Sequence, residues 1–161
     1  MNYILNCDNA VTIDGEIVIH NDELVQAINF CNNAIRTLDE QTKQFEINIF
    51  EVLGMRNLSG MVGEYFVKSV ERFSNGNLHS NLHQDGYPDL LRTNTVQRLN
   101  YYHSLYIEVN GKKYPKDKAQ FSPFKYGGVE VKATCGSTPS ASVTPKPLIG
   151  EQRISKLTSF D

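Results

Sequence analysis

At 161 residues the chain has the length of one ordinary domain, and 40% hydrophobic against 21% charged side chains leaves enough apolar surface for a core, which excludes wholesale disorder. A formal net charge of −2 excludes a histone-like polycation while leaving local basic patches open. No run approaches the roughly 18 apolar residues of a membrane span, the N-terminus lacks the blocks of a signal peptide, and three cysteines without CxxC spacing (Cys7, Cys31, Cys135) suggest neither a disulfide framework nor a Cys-rich zinc site.

The expectation is therefore a cytoplasmic protein of one domain, with residues 1–54 forming a peripheral N-terminal section and residues 55–161 the main core. The first element is a hairpin: two short apolar runs flank Asp14-Gly15, a pair suited to the positive φ angles of a two-residue type I′ turn. A helix follows from Asn21 or Asp22, with Leu24, Ala27, Ile28, Cys31, Ala34, Ile35 and Leu38 in one stripe. Cys31 lies on that stripe and reads as a small core residue. A second helix carries Leu58, Met61, Val62, Tyr65, Phe66, Val70 and Phe73 at helical spacing, with Ser69 the polar residue on the apolar side. Gly60 and Gly63 each cost roughly 1 kcal/mol of helix propensity, and close approach to another backbone is the simplest reason for them. The helix should fray at Ser74–Asn77, where Gly76 is a good left-handed cap.

Residues 77–91 have loop chemistry at Asp85-Gly86 and Pro88 before a short apolar strand start. Residues Leu105 to Tyr114 read as a second hairpin turning at Asn110-Gly111. A connection rich in lysines and aromatics then leads to a strand over 128–134, alternating with the two-residue strand period. A Ser/Thr/Pro segment separates that strand from a last segment that begins like a helix. His79 and His83 have the i, i+4 spacing of a helical zinc site, but their polar neighbours favour a loop and no HExxH glutamate lies between them. GxSxG, GxGxxG and GxxxxGK[ST] are all absent.

The informative residues are Pro88-Asp89 and Glu130-Val131-Lys132. On a strand, Glu130 and Lys132 point to one face. If Asp89 ends a neighbouring strand, two carboxylates and an ammonium converge at a sheet edge. Such hard oxygens suit Mg²⁺, held by Asp89, Glu130 and the carbonyl of Val131, with waters left over for phosphate oxygens. Lys132 can orient or deprotonate the attacking water, the latter if burial lowers its pKa.

This pattern resembles the PD-(D/E)XK nuclease superfamily, and Tyr87–Leu91 with Gly127–Thr134, a Ser/Thr loop and a Gly150-Glu151-Gln152-Arg153-Ile154 helix start resembles a type II restriction endonuclease. The resemblance covers roughly residues 55–155. It implies an α/β (α+β) fold with a restriction-endonuclease-like core, a mixed β-sheet flanked by helices, here preceded by the N-terminal hairpin. It also implies Glu64 as an auxiliary acid, Mg²⁺ as cofactor and a cognate DNA methyltransferase in the same system. Two departures are visible. Asp89 and Glu130 are 41 residues apart, which needs a hairpin insertion, and 29 residues follow Lys132, so the core is expected to be shortened at its C-terminal end.

The expected activity is Mg²⁺-dependent hydrolysis of phosphodiester bonds in double-stranded DNA at a specific sequence. Alternatives are a repair or junction-resolving nuclease on the same core, or a non-catalytic DNA-binding or assembly domain. Lys116, Lys118 and Lys125 could follow a phosphate backbone. Ser137 and Thr138 could donate to phosphates or bases, and Gln152 and Arg153 could read base edges. A palindromic site asks for a two-fold homodimer.

Overall fold

The computed structural model describes residues 10–133. Its first element is the expected hairpin, β1 (Val11–Ile13) and β2 (Glu16–Ile19). Asp14 and Gly15 both have positive φ, 51° and 76°, as a type I′ turn requires. Helix α1 (Asn21–Lys43) follows, with His20 as its N-cap and the His20 N–H donating to Glu23 Oε2 at 2.7 Å. A short helix α2 (Ile49–Val52), which no pattern in the sequence marks, precedes α3 (Met55–Phe73). Asn48 caps α2 by accepting the Phe50 N–H at 3.1 Å.

Helices α1 and α3 pack on each other because each is apolar on one side and carries small residues there. Ala27 and Cys31 of α1 are buried, and Ser69 of α3 is 1% exposed. Its hydroxyl is satisfied by the Tyr65 carbonyl at 2.6 Å, which is how a polar side chain is accommodated within the stripe. Burial raises the Cys31 thiol above its ordinary pKa, partly offset by a hydrogen bond with Ser69.

Three antiparallel strands run in the order β3 (Leu78–Ser80), β4 (Leu90–Arg92), β7 (Gly128–Val129). Between β4 and β7 lie helix α4 (Val96–Ser104) and the hairpin of β5 (Tyr106–Val109) and β6 (Lys112–Pro115), then a 3₁₀ turn at Lys118–Gln120. The β5–β6 turn at Asn110-Gly111 again has two positive φ angles, and this hairpin lies, with α4, between the strands next to Asp89 and Glu130. Neither α4 nor β3 is expected from the sequence. Thr95 caps α4 by accepting the Arg98 N–H at 3.3 Å. Strand β3 is tied to α3 by Glu71, which accepts from Ser80 N–H at 3.0 Å and Ser80 Oγ at 2.6 Å. These bonds and Lys68 outweigh the burial that would raise the Glu71 carboxyl and hold it below its usual range.

The central sheet separates two apolar clusters. One joins Val18, Ile19, Ala27, Val67, Val70, Leu78 and Leu90; the other joins Leu91, Tyr102, Phe121 and Phe124. Fully burying a leucine such as Leu78 or Leu90 stabilises by about 1.5–3 kcal/mol. Val18, Ile19 and Ala27 thus build the first core together with α3 and the sheet, with Val11, Ile13 and Leu24 packed against it. All strand pairings among the described residues are antiparallel. The parallel component of the expected mixed sheet is therefore not found among them, and the chain there is α+β with small antiparallel sheets and four helices. No described helix is long and apolar enough to cross a membrane.

Candidate active site

Asp89 immediately precedes β4, and Glu130 immediately follows β7. Those strands pair antiparallel with Leu90 opposite Val129, so the next residue outward on each strand is one of the two acids. The two carboxyls are near enough to interact: Asp89 is raised above its ordinary pKa first by burial and then by the neighbouring Glu130 carboxylate. The Val131 N–H donates to Asp89 Oδ2 at 2.7 Å and opposes that rise while fixing the carboxylate's direction. The expected strand over 128–134 is shorter than the alternation suggested. Pairing stops at Val129, and residues 130–132 continue without strand hydrogen bonding.

Two features hold the acids in register. Gly128 lies against β4 so closely that a Cβ would stand 1.8 Å from the Leu90 carbonyl oxygen and 2.7 Å from Pro88 Cγ. Only glycine permits this approach. On the other side, Asn81 spans the loop: its N–H donates to the Asp89 carbonyl at 2.8 Å, and its Nδ2 donates to the carbonyls of Pro88 and Phe121, each at 2.9 Å. Asn81 positions Asp89 and escapes a reading of the sequence; an Asn in a polar loop gives no signal of what it bridges.

Lys132 Nζ is paired with Glu130 Oε1. That contact, ahead of any burial, raises the lysine above its usual pKa, and its side chain is 63% exposed. The condition that would favour Lys132 as a proton acceptor, a pKa lowered by burial, is therefore not met, and its ammonium is suited to stabilising negative charge and orienting water. Glu130 Oε2 is buried with no hydrogen-bond partner.

A cavity of about 220 Å³ opens beside this edge, its wall including Asp89, Val131 and Lys132 with Gly60, Gly63 and Glu64 of α3. Glu64 is thus brought to the same recess. Of the two glycines, Gly63 approaches Ala133, where an added Cβ would lie 3.5 Å from the alanine Cβ, whereas Gly60 faces open space. Close packing accounts loosely for Gly63 and not at all for Gly60, whose missing side chain leaves the recess open.

The donor set bears on the divalent ion that the pattern implies. Among the described residues no group of three or more His, Cys, Asp or Glu side chains is arranged to hold a metal ion. Two adjoining carboxylates, one with an unpartnered buried oxygen, nevertheless fit Mg²⁺, which binds through one or two carboxylates and retains several waters.

The remaining predicted residues are scattered. Lys116 Nζ donates to the Ser104 carbonyl at 2.8 Å and clips β6 to the end of α4. Lys118 lies in the 3₁₀ turn. Lys125 sits over the rings of Tyr101 and Tyr126, each centroid 5.3 Å away. Ser137, Thr138, Gln152 and Arg153 lie outside the described residues, as do Cys7, Cys135 and the last helix start. His79 is in β3, hydrogen-bonded through Nδ1 to Thr93 Oγ1 at 2.8 Å, while His83 Nδ1 accepts the Asp85 N–H at 3.1 Å. The i, i+4 spacing thus falls on no helix.

Comparison with protein-family models, with curated proteins and with solved structures gives no match.

Proposed function

We propose that the chain is a Mg²⁺-dependent endodeoxyribonuclease on a PD-(D/E)XK-like core, cutting double-stranded DNA at a specific sequence as a homodimer. The observation that carries this reading is the register that brings Asp89 and Glu130 out side by side at the ends of two paired strands, with Lys132 paired to Glu130. The order α3, β3, β4, β7, with Glu64 on the helix and the acids directly flanking the second and third strands, supports it.

In this reading Asp89 and Glu130 hold the ion, with the Val131 carbonyl as a further oxygen and Glu64 as an auxiliary acid. When bound, the ion would acidify a water and offset charge building on the phosphate. The Val131 N–H keeps Asp89 Oδ2 turned in one direction. Burial keeps Asp89 short of water, so its affinity for a cation is not spent on solvent. Lys132, released from part of its pairing when Glu130 has a second cation to bind, offers its ammonium to the non-bridging oxygens and the attacking water. Water oxygen bonds to phosphorus, the bond to one sugar oxygen breaks, and the water's proton ends on the departing oxygen or in solvent.

Asp89→Ala is expected to lower Mg²⁺-dependent plasmid cleavage by roughly 10²–10³-fold or more, the scale of losing one charge-stabilising group, while DNA binding stays measurable. Unchanged cleavage would remove Asp89 from the site. Discrete fragments from plasmid DNA support restriction-type cutting, and cleavage confined to branched or mismatched duplexes supports a repair or junction enzyme. A second reading, a non-catalytic DNA-binding module, draws on the pairing of Lys132 with Glu130 Oε1, which already offsets one charge against the other; DNA binding without cleavage in Mg²⁺ or Mn²⁺ would favour it.

A further inference from the structure

A second cavity, of about 470 Å³, lies next to the acids, and the catalytic reading makes no use of it. Pro88, which precedes Asp89, and Gly128, which precedes Glu130 by two positions, form part of its wall. Its volume falls within the roughly 300–1,000 Å³ of small-ligand sites.

The chemistry of the wall is aromatic and basic. Tyr87 stands on it with 56% of its surface exposed. Lys125 and Tyr126 face the same space, and Arg98 lies 5.8 Å from the centre of the Tyr126 ring. The acid on the wall, Asp14, is already engaged by Arg92 at 2.6 Å, and Arg98 is engaged by Glu16 at 2.6 Å. Lys125, by contrast, makes no ion pair with a described carboxylate; aromatic faces orient it. An exposed ring beside an ammonium held in place without a counter-charge is the combination that binds a nucleotide outside a duplex, by base stacking and phosphate attraction.

We propose that this cavity holds an unpaired nucleotide of the bound DNA strand, its phosphate at Lys125 and its base against the ring of Tyr87. The inference rests on the reading that the chain binds DNA, and it adds a specificity: the strand is held with one nucleotide out of the stack beside the cutting edge. Tyr87 links the two places, being the residue before Pro88-Asp89.

The test is binding of the full chain, in Ca²⁺ buffer, to a labelled short oligothymidylate and to a blunt duplex of equal length, followed by fluorescence anisotropy at a series of salt concentrations. Tyr87→Ala is expected to weaken oligothymidylate binding roughly 5- to 150-fold, the range for losing one stacked base, with a smaller effect on the duplex; Tyr87→Phe, which keeps the ring, should bind like the parent. Lys125→Gln should reduce the slope of log affinity against log salt by about 0.7, one single-strand phosphate contact, a quantity that a merely structural role would not move. Parent-like binding by Tyr87→Ala, an equal loss in Tyr87→Phe, or an unchanged salt slope would each overturn the proposal. If Asp89→Ala cleaves like the parent while Tyr87→Ala loses the oligonucleotide, the nuclease site falls and the nucleotide site stands. A parent that binds no DNA would overturn both.

Discussion

Gly60 occupies an interior position of α3 where nothing lies within 4 Å of the place a methyl group would take, so alanine would fit and would restrict the unfolded chain. Gly60→Ala is expected to raise the unfolding free energy by about 0.5–1 kcal/mol, measured by urea denaturation. Because Gly60 borders the recess that holds Asp89 and Lys132, the same variant should lose cleavage activity while gaining stability. A variant equally stabilised and fully active would mean that the recess admits no substrate. Gly63 is a poorer choice for this test, since its added methyl would contact Ala133.

At the scale of the element, the decisive unit is the β4–β7 pair. It has two registered residue pairs, yet it sets where both acids emerge. Gly128→Ala would drive a methyl group into the Leu90 carbonyl, and the short ladder has no slack to absorb it. The expected cost is about 1–3 kcal/mol or more, as for other overpacked sites, read as a fall in the denaturation midpoint. Cleavage at a temperature where the variant remains folded should fall as well, because the acids separate once β7 moves away. Much of this element is legible in the sequence: the residue types of Pro88-Asp89 and Glu130-Val131-Lys132 pick out the residues despite their long separation, and the Asp-Gly and Asn-Gly pairs mark both hairpin turns. Strand β3 was not legible, because three residues including His79 and Ser80 carry too little alternation to stand apart from a loop. Helix α4 was hidden for a related reason. Its nine residues include Val96, which is 77% exposed, so no continuous apolar stripe marks it.

Across the whole molecule, the N-terminal hairpin is fastened to the far part of the chain by one ionic cluster. Arg92, only 2% exposed, meets Asp14 at 2.6 Å and Glu16 at 2.8 Å, and Arg98 also reaches Glu16 at 2.6 Å. Hydrogen bonds from Arg98, Asn94 and Arg92 lower the Glu16 carboxyl from 4.5 to about 2. A carboxyl depressed by folding stabilises in full above its unfolded pKa and loses that contribution as pH falls through its folded one. The difference in melting temperature between the parent and Glu16→Gln should thus be constant above about pH 4.5 and vanish near pH 2. It should also shrink with added salt, since Glu16 is half-exposed and its pairs are screened. A difference that persists at pH 2 would assign the effect to packing instead.

Local chemistry in the sequence determined the two type I′ hairpins, the long amphipathic helices and the buried Cys31, because each depends on φ preferences or on periodicity within a single segment. It also singled out Asp89, Glu130 and Lys132 as residue types suited to phosphate chemistry. Tertiary structure alone decided that the N-terminal hairpin and α1 share the core, that Asp89 and Glu130 come out side by side with Lys132 paired to Glu130, and that Asn81, Gly128 and Arg92 hold the edge in place. Those outcomes depend on contacts between residues dozens of positions apart, and such contacts are set by how the elements pack, which no local window contains.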